Sequence, residues 1–393
     1  MTILFFSPSN SIGGAELSLL YTMQYVKNSG IRIILAMPPD KNTSYYLMAK
    51  EVTNSIYMVS GMNWISSKKK GFAKLKNWAY NVYKSGGWHI APVFKLSKII
   101  LHEQVDLVHT NTSVCIDAAL AAKITGRPHI QHIREITGAS KEALFKLKFQ
   151  GTSFFRKLNA NLNSIILCNS FYTLKESETD FPKEKLKVIY NTIKLPEILP
   201  EAYNGGIMEI CTMANLTARM KNHILVLQVA RCLKVAGKEA HFKFNLFGKL
   251  PIESDLYLNS LQGFIEENQL QTMVEFKGLG KTSDILANNH VLFHSFDGES
   301  FGRVYIEAMS YGRPVIAVKG GGASELIEEG KEGYLLNKDN PEKIAQVLMQ
   351  IAGDSIQYNL LRQNCILKAK SFSEEIIFSE LLKIYNNILT KTQ

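Results

Sequence analysis

Two carboxylates, Glu299 and Glu307, stand eight positions apart in the stretch DGESFGRVYIEAMSYGRPV. The preceding HVLFHS has the unbroken apolar character of a buried strand, FDGES is the loop that leaves it, and FGRVYIEAMSYG is a helix with Gly302 in its first turn and Gly312 at its end. Ligands of open α/β sheets sit at the carboxyl ends of strands, where a helix N-terminus offers unbonded N–H groups and a positive dipole end to an anion. The amides of Ser300, Phe301, Gly302 and Arg303, followed by Val304, are therefore the expected phosphate cradle. A carboxylate would repel that phosphate, so the two glutamates are assigned to hydroxyl groups. A ligand with phosphates in the middle and hydroxyls at both ends is a nucleotide sugar, with Glu299 on the donor sugar and Glu307 on the ribose.

The elements that must position these groups alternate strand and helix along the chain. TILFFSPS reads as a strand, NSIGGAE as a glycine loop, LSLLYTMQYVKNSG as a helix stopped by Gly30, and IRIILAMP as the next strand. VDLVHTN, the helix SVCIDAALAAKITG, HIQHIRE, SIILCNS and LKVIYN continue the series. TIKLPEILPEAYNGG, with two prolines and two glycines, reads as a linker. A second series then runs MEICTMAN, HFKFNLFG, MVEFKG, HVLFHS and PVIAVKGG, and closes with helices at 341–352, 355–369 and about 374–390. This pattern predicts two doubly wound α/β domains facing a central cleft. At 393 residues the chain exceeds what one core serves, which also favours two domains.

The composition, 46% apolar and 20% charged, excludes a disordered or collagen-like chain. Five scattered cysteines with no CxxC pair point to a reducing compartment, and no apolar run reaches the roughly 20 residues of a spanning helix, so a cytoplasmic location is expected. The net charge of +10 is uneven: residues 1–190 carry +12 and the remainder −2. Between Glu51 and Glu103 nothing is acidic, while Lys68, Lys69, Lys70, Lys74, Lys76, Lys84, Lys95 and Lys98 are interleaved with Trp64, Trp78 and Trp88. Lysines among indoles suit an anionic membrane surface, so the 64–98 window is a candidate docking patch, with KEALFKLKFQGTSFFRK at 141–157 as a second. No nucleic-acid module is present in the sequence, and nucleic acid is not an expected partner.

Residues 299–307 match the E-x7-E motif of retaining glycosyltransferases of family 4, and GESFGRVYIEAMSYGRPVIAVKGGGASELIEEGKEGYLL resembles that family continuously. The likeness extends over nearly the whole chain and implies a GT-B fold of two Rossmann-like domains. Residues 1–190 would be the acceptor domain and 191–371 the nucleotide-sugar domain, with a last helix at about 372–393 crossing back onto the first. GGAE at 13–16 is similar to the family's N-terminal glycine loop, which implies that Gly13 and Gly14 lie against the donor phosphates or the acceptor. Lys221, in MANLTARMKNH, matches the family's diphosphate lysine, whereas the family's arginine position falls on Asn215 or Leu216 and leaves Arg219 as the nearby substitute. His132 matches the histidine at the donor sugar. His109 and Asn111 share its strand-end setting, and Arg134 and Glu135 are acceptor-side candidates. The nucleotide base is expected near backbone groups of Gly278 and Leu279, and Glu325 in KGGGASE belongs to a structural loop beside the site.

The resemblance thus implies a retaining hexosyltransferase with catalytic candidates His132, Lys221 and Glu299. No D-x-D pair occurs, so no metal or other cofactor is expected, and Lys221 with the helix dipole takes the metal's part. The expected donor is a UDP-sugar and the expected acceptor a lipid-linked saccharide of capsule, O-antigen or exopolysaccharide assembly, met by a protein peripheral to the inner face of the cell membrane. The alternative is an inactive nucleotide-sugar-binding or scaffold protein, motivated by the missing arginine. An NAD-dependent oxidoreductase is excluded, because SIGGAE lacks the G-x-G-x-x-G spacing and no acidic residue closes IRIILAMPPD.

Overall fold

The computed structural model describes residues 1–65, 90–137, 146–251 and 255–391. It divides into two units, Met1–Thr192 with Glu374–Gln393, and Ile193–Ser373.

Among the described residues of the first unit, seven strands form one parallel sheet: β1 (Thr2–Phe6), β2 (Arg32–Met37), β3 (Ser55–Met58), β4 (Leu107–Thr110), β5 (His129–Ile133), β6 (Ile165–Cys168) and β7 (Leu186–Val188). Their order is β3-β2-β1-β4-β5-β6-β7, so the winding reverses between β1 and β4. The second unit has six parallel strands: β8 (Met208–Met213), β9 (Phe242–Phe247), β10 (Val274–Gly278), β11 (Val291–His294), β12 (Val315–Val318) and β13 (Gly333–Leu336). Their order is β10-β9-β8-β11-β12-β13, reversing between β8 and β11. Helices on both faces explain why the central strands are near-continuous apolar runs: Ile3–Phe6, Ile33–Met37 and Val291–Phe293 are all fully buried.

Each unit has its own core. That of the second gathers Met208, Ile210, Phe244, Val291, Ile316 and Leu348, among others, all from residues 203–361. One core of the first contains Ile3, Phe5, Leu35, Leu107 and Ile130 together with Ile377, Phe378, Leu381, Ile384, Tyr385 and Ile388 from the last helix, Glu374–Thr390. Phe378 lies 4.9 Å, ring to ring, from Tyr25 on the first helix, Gly14–Asn28.

Arg313 is a buried cation served by carbonyls. Its guanidinium donates to Leu286 and Ala287 at the C-terminal end of the helix Thr282–Ala287 (2.8 and 2.9 Å) and to Glu201 in the linker (2.8 Å). Unbonded carbonyls and the negative end of a helix dipole stabilise a guanidinium there.

Local differences from the sequence expectations have identifiable causes. The helix expected over 113–126 spans Asp117–Ile124, since the Asp117 carboxylate holds the Met62 N–H and the Cys115 thiol outside it. Gly302 is the cap of the helix Arg303–Ser310 and not part of its first turn; at φ +84° it occupies left-handed space that favours glycine. Trp64 is a correction to the docking patch: it is buried, 6.4 Å from the Phe155 ring and 6.0 Å from that of Phe149, because an indole in this apolar cluster gains more from packing than from a surface. Lys68 to Lys84, Trp78 and Trp88 lie outside the described residues. Lys95 donates to the Met58 carbonyl at 2.7 Å, and Lys98 lies over the Phe94 ring. In the second stretch Phe149 and Phe154 are more than half exposed. All five cysteines are unpaired. Among the described residues no helix is long and apolar enough to cross a membrane.

Candidate active site

In the second unit the loops after β8 and β11 meet at the winding reversal, the position where open α/β sheets bind ligands. Lys221, in the turn Arg219–Lys221 after β8, forms an ion pair with Oε1 of Glu299, in the loop after β11. His294, the last residue of β11, contacts the same oxygen through Nε2 at 3.1 Å. Ser295 donates to the Lys221 carbonyl at 2.7 Å, and the Lys221 ammonium lies 4.4 Å above the centre of the Phe296 ring. Burial by itself would raise the Glu299 carboxyl; the His294 hydrogen bond and the Lys221 charge overcome it and hold the group at about 2. At neutral pH Glu299 is consequently a hydrogen-bond acceptor and not an acid. An ammonium has three donors, so Lys221 can keep Glu299 and still meet a phosphate oxygen.

The backbone that carries Glu299 is clamped by glycines. Gly322 N–H donates to the Glu299 carbonyl at 2.8 Å. A Cβ on Gly320 would stand 2.6 Å from the Asp297 carbonyl oxygen, and one on Gly321 2.3 Å from that of Glu299. Contacts below 3 Å to backbone leave glycine as the residue that fits. Gly302 is constrained similarly, since its Cβ would fall 2.2 Å from the Tyr305 ring. Tyr305 lies edge-on to His294, 5.2 Å away, and burial and the charges of Glu299 and Asp297 push its phenol well above the ordinary range, so it stays protonated. Its Oη and His294 Nδ1 find no hydrogen-bond partner among the described residues.

Glu307 lies one turn into the Arg303–Ser310 helix and receives the Arg303 guanidinium at 2.9 and 3.2 Å. Val304 is half-buried beside it, while the Phe301 side chain is core, 6.0 Å from Phe372. Ser300 to Arg303 therefore contribute backbone at the helix entrance, with the Arg303 side chain already engaged by Glu307.

Other expected residues stand apart from this cluster. Arg219 turns toward the Tyr257 ring, 5.7 Å away. Asn215 accepts the Lys249 N–H at 2.9 Å and Leu216 is fully buried, so both are engaged in the fold and neither supplies a cation. Gly278 ends β10, two strands from the reversal, and its carbonyl accepts from Gly248 N–H at 2.9 Å; Leu279 is exposed. Glu325 sits in the short helix Ala323–Leu326.

The first unit has a second polar cluster at its own reversal. Gly13 caps the first helix with ordinary extended backbone; its N–H donates to Glu16 Oε2 at 3.1 Å. Among the described residues a Cβ on Gly14 would meet no atom within 4 Å, and one on Gly13 only the end of the Glu16 carboxylate. Neither glycine is demanded by the fold itself. His132, on β5, and His109, on β4, are stacked with ring centres 5.4 Å apart. Arg134 donates through Nε to Asn111 at 2.8 Å and to Asn191, and Asn111 donates to the Ala15 carbonyl at 3.0 Å. Glu135 accepts from the Thr112 hydroxyl and from Ser113 N–H and hydroxyl at 2.6–2.8 Å, which commits it to the β4 loop.

Sequence reasoning missed His294, Tyr305 and Tyr385. A polar residue ending an apolar buried strand was a usable signal for His294. Tyr385 had none, since its partner His109 is 276 positions away. Among the described residues no three His, Cys, Asp or Glu side chains gather as a metal site.

Two doubly wound parallel sheets in tandem, with polar side chains at each reversal, define the architecture of GT-B glycosyltransferases. The chain belongs to the family 4 and group 1 glycosyltransferases: the model described as Glycosyltransferase Family 4 matches residues 12–196, and that described as Glycosyl transferases group 1 matches 205–372. An uncharacterized glycosyltransferase of Methanocaldococcus jannaschii is 26% identical over 306 residues, 76% of this chain and 81% of that one. A Salmonella typhimurium protein provisionally named colanic acid biosynthesis glycosyltransferase WcaL is 26% identical over 196 residues, 47% of this chain and 46% of its own length. The crystal structure of Anabaena HepE in complex with UDP and glucose shares the fold, with a TM-score of 0.75 over 98% of this chain and 100% of that one at 21% identity.

Proposed function

We propose that this glycosyltransferase is a retaining, metal-independent enzyme that moves a sugar from a UDP-sugar to a lipid-linked saccharide during assembly of a bacterial surface polysaccharide. The observation that carries the reading is the Lys221–Glu299–His294 cluster at the entrance of the Gly302-capped helix that bears Glu307. An ionised Glu299 accepts hydroxyls of the donor sugar, Glu307 accepts those of the ribose, and the amides at 300–303 receive the diphosphate. Lys221 neutralises charge as the nucleoside diphosphate departs, which is stabilisation specific to the transition state. The acceptor hydroxyl attacks from the face the diphosphate leaves; its proton passes to the departing phosphate oxygen, so the C–O bond forms and breaks on one face and configuration is retained. The open space at Gly13 and Gly14 supports a close approach of ligand to that backbone.

The uridine donor is supported by the UDP and glucose named with the Anabaena structure, and the polysaccharide product by the name of the Salmonella relative. Half-exposed Phe149 and Phe154 next to Lys148, Arg156 and Lys157 support docking on the inner face of an anionic membrane. A second reading, a nucleotide-sugar-binding protein without turnover, is favoured by Asn215 and Leu216, which leave one cation fewer for the diphosphate.

A thermal-shift series with UDP-, GDP- and ADP-sugars, repeated on Glu307→Ala, tests the donor site. A rise in Tm with UDP-sugars that Glu307→Ala abolishes is expected; a rise with guanine or adenine donors alone overturns the uridine assignment. Binding without transfer to any saccharide acceptor would favour the second reading.

A further inference from the structure

The β4–β5 histidines form a chain whose proton positions can be deduced from donors alone. His132 Nδ1 receives Arg134 Nη2 at 3.4 Å and faces His109 Nε2 at 3.3 Å. A guanidinium has only hydrogens to offer, so His132 Nδ1 must be a lone pair. His109 Nε2 must then carry its hydrogen toward His132, which leaves His109 Nδ1 as an acceptor. That atom lies 2.7 Å from the Tyr385 hydroxyl, which is left to donate. The remaining hydrogen of His132 is on Nε2, a buried atom with no hydrogen-bond partner among the described residues. His132 lines a small cavity with Ser18, Thr22, Arg134, Thr192 and Phe378.

We infer that Arg134 is a positioning residue that locks His132 into the Nε2–H tautomer, with His109 and Tyr385 completing the chain behind it, so that His132 presents a hydrogen-bond donor to an oxygen of the bound saccharide and cannot serve as a base. The ligand part of this inference rests on the glycosyltransferase reading; the tautomer does not. Burial, and beside it the Arg134 charge, push both rings well below the usual imidazole range, so neither becomes an imidazolium that would erase the distinction. Phe5 packs on His109 with ring centres 5.2 Å apart, and Tyr385 is fully buried in the same core. The last helix completes the chain, since it brings the Tyr385 hydroxyl that donates to His109.

The test is nitrogen NMR on the full chain labelled with 15N-histidine, which distinguishes the two neutral tautomers by their ring-nitrogen shifts. The His109 and His132 signals are those missing from His109→Gln and His132→Gln. Both rings are expected as Nε2–H at neutral pH; Arg134→Met, which removes the guanidinium donor, is expected to mix the tautomers of His132, whereas Tyr385→Phe is expected to leave His132 as Nε2–H. A proton on Nδ1 of His132 in the unaltered protein overturns the inference, as does an Arg134→Met spectrum with His132 unchanged. The donor role is read separately from transfer kinetics. His132→Gln, whose amide can reach the Nε2 position, should retain about tenfold more kcat/KM than His132→Asn, whose amide copies Nδ1; equal values remove the donor role. The spectra need no substrate, so absence of transfer with every nucleotide sugar would count against the proposed function and leave the tautomer decided by NMR.

Discussion

At the scale of single residues, the site is governed by one carboxylate with two partners. Glu299 is held at about 2 by His294 and Lys221 against the opposing effect of burial, whereas an ordinary carboxyl stands at 4.5. A folded value below the unfolded one stabilises the native state fully above about pH 4.5 and ceases to do so as pH falls toward 2. Glu299→Gln removes this charge. We expect it to lower stability at pH 7 by at most about 3 kcal/mol and to lose that deficit progressively below about pH 4.5, as measured by urea unfolding across pH. Transfer activity should fall about 100-fold or more, because Lys221 loses its anchor and the donor sugar its acceptor. Part of this was legible beforehand: Glu299, Glu307 and the Gly302 turn follow from residue type and spacing, and Lys221 from the family resemblance of MANLTARMKNH. The pairing of Lys221 with Glu299 was not, because the two were assigned to different parts of a ligand, the diphosphate and the donor sugar, and in the structure they touch each other.

At the scale of elements, loops carry the precision. The Gly320–Gly322 turn after β12 lies directly on the 297–301 loop after β11, and the Gly322 N–H fastens it to the Glu299 carbonyl. Gly321, at φ +52°, would place a methyl 2.3 Å from the Glu299 carbonyl oxygen. Gly321→Ala should therefore displace Glu299, cost roughly 1–3 kcal/mol, and reduce kcat by more than the loss of folded protein explains. Parallel melting curves and rates measured well below Tm check this; an unchanged kcat would show that the clamp does not position the carboxylate. The sequence marked this segment as a glycine loop beside the site, but which backbone the glycines abut depends on the adjacency of β11 and β12.

For the whole molecule, the chain path matters more than the count of elements. The second unit draws its core from one continuous segment, while the first completes its core with six side chains of the last helix. Removing residues 374–393 should expose Leu19, Met23 and their neighbours and leave the first unit unable to fold cooperatively, whereas the segment 193–373 alone should give a single calorimetric transition. Calorimetry and near-UV circular dichroism of the truncated chains read this directly. A cooperative first-unit transition without the last helix would contradict it.

What the sequence determined by itself is what short-range chemistry determines. Apolar runs bounded by turn residues specify strands, helical periodicity specifies the intervening helices, and their alternation specifies parallel doubly wound sheets. The Glu299–Glu307 spacing belongs to the same class, since both lie within one loop and the helix it enters. Tertiary structure alone decided which distant groups meet. It brought Lys221 to Glu299 across 78 positions and Tyr385 to His109 across 276, turned Arg219 to Tyr257, and buried Trp64 against Phe155. The physical reason is that strand order sets which loops are neighbours, and a side chain's protonation state and exposure follow from those neighbours and not from its place along the chain.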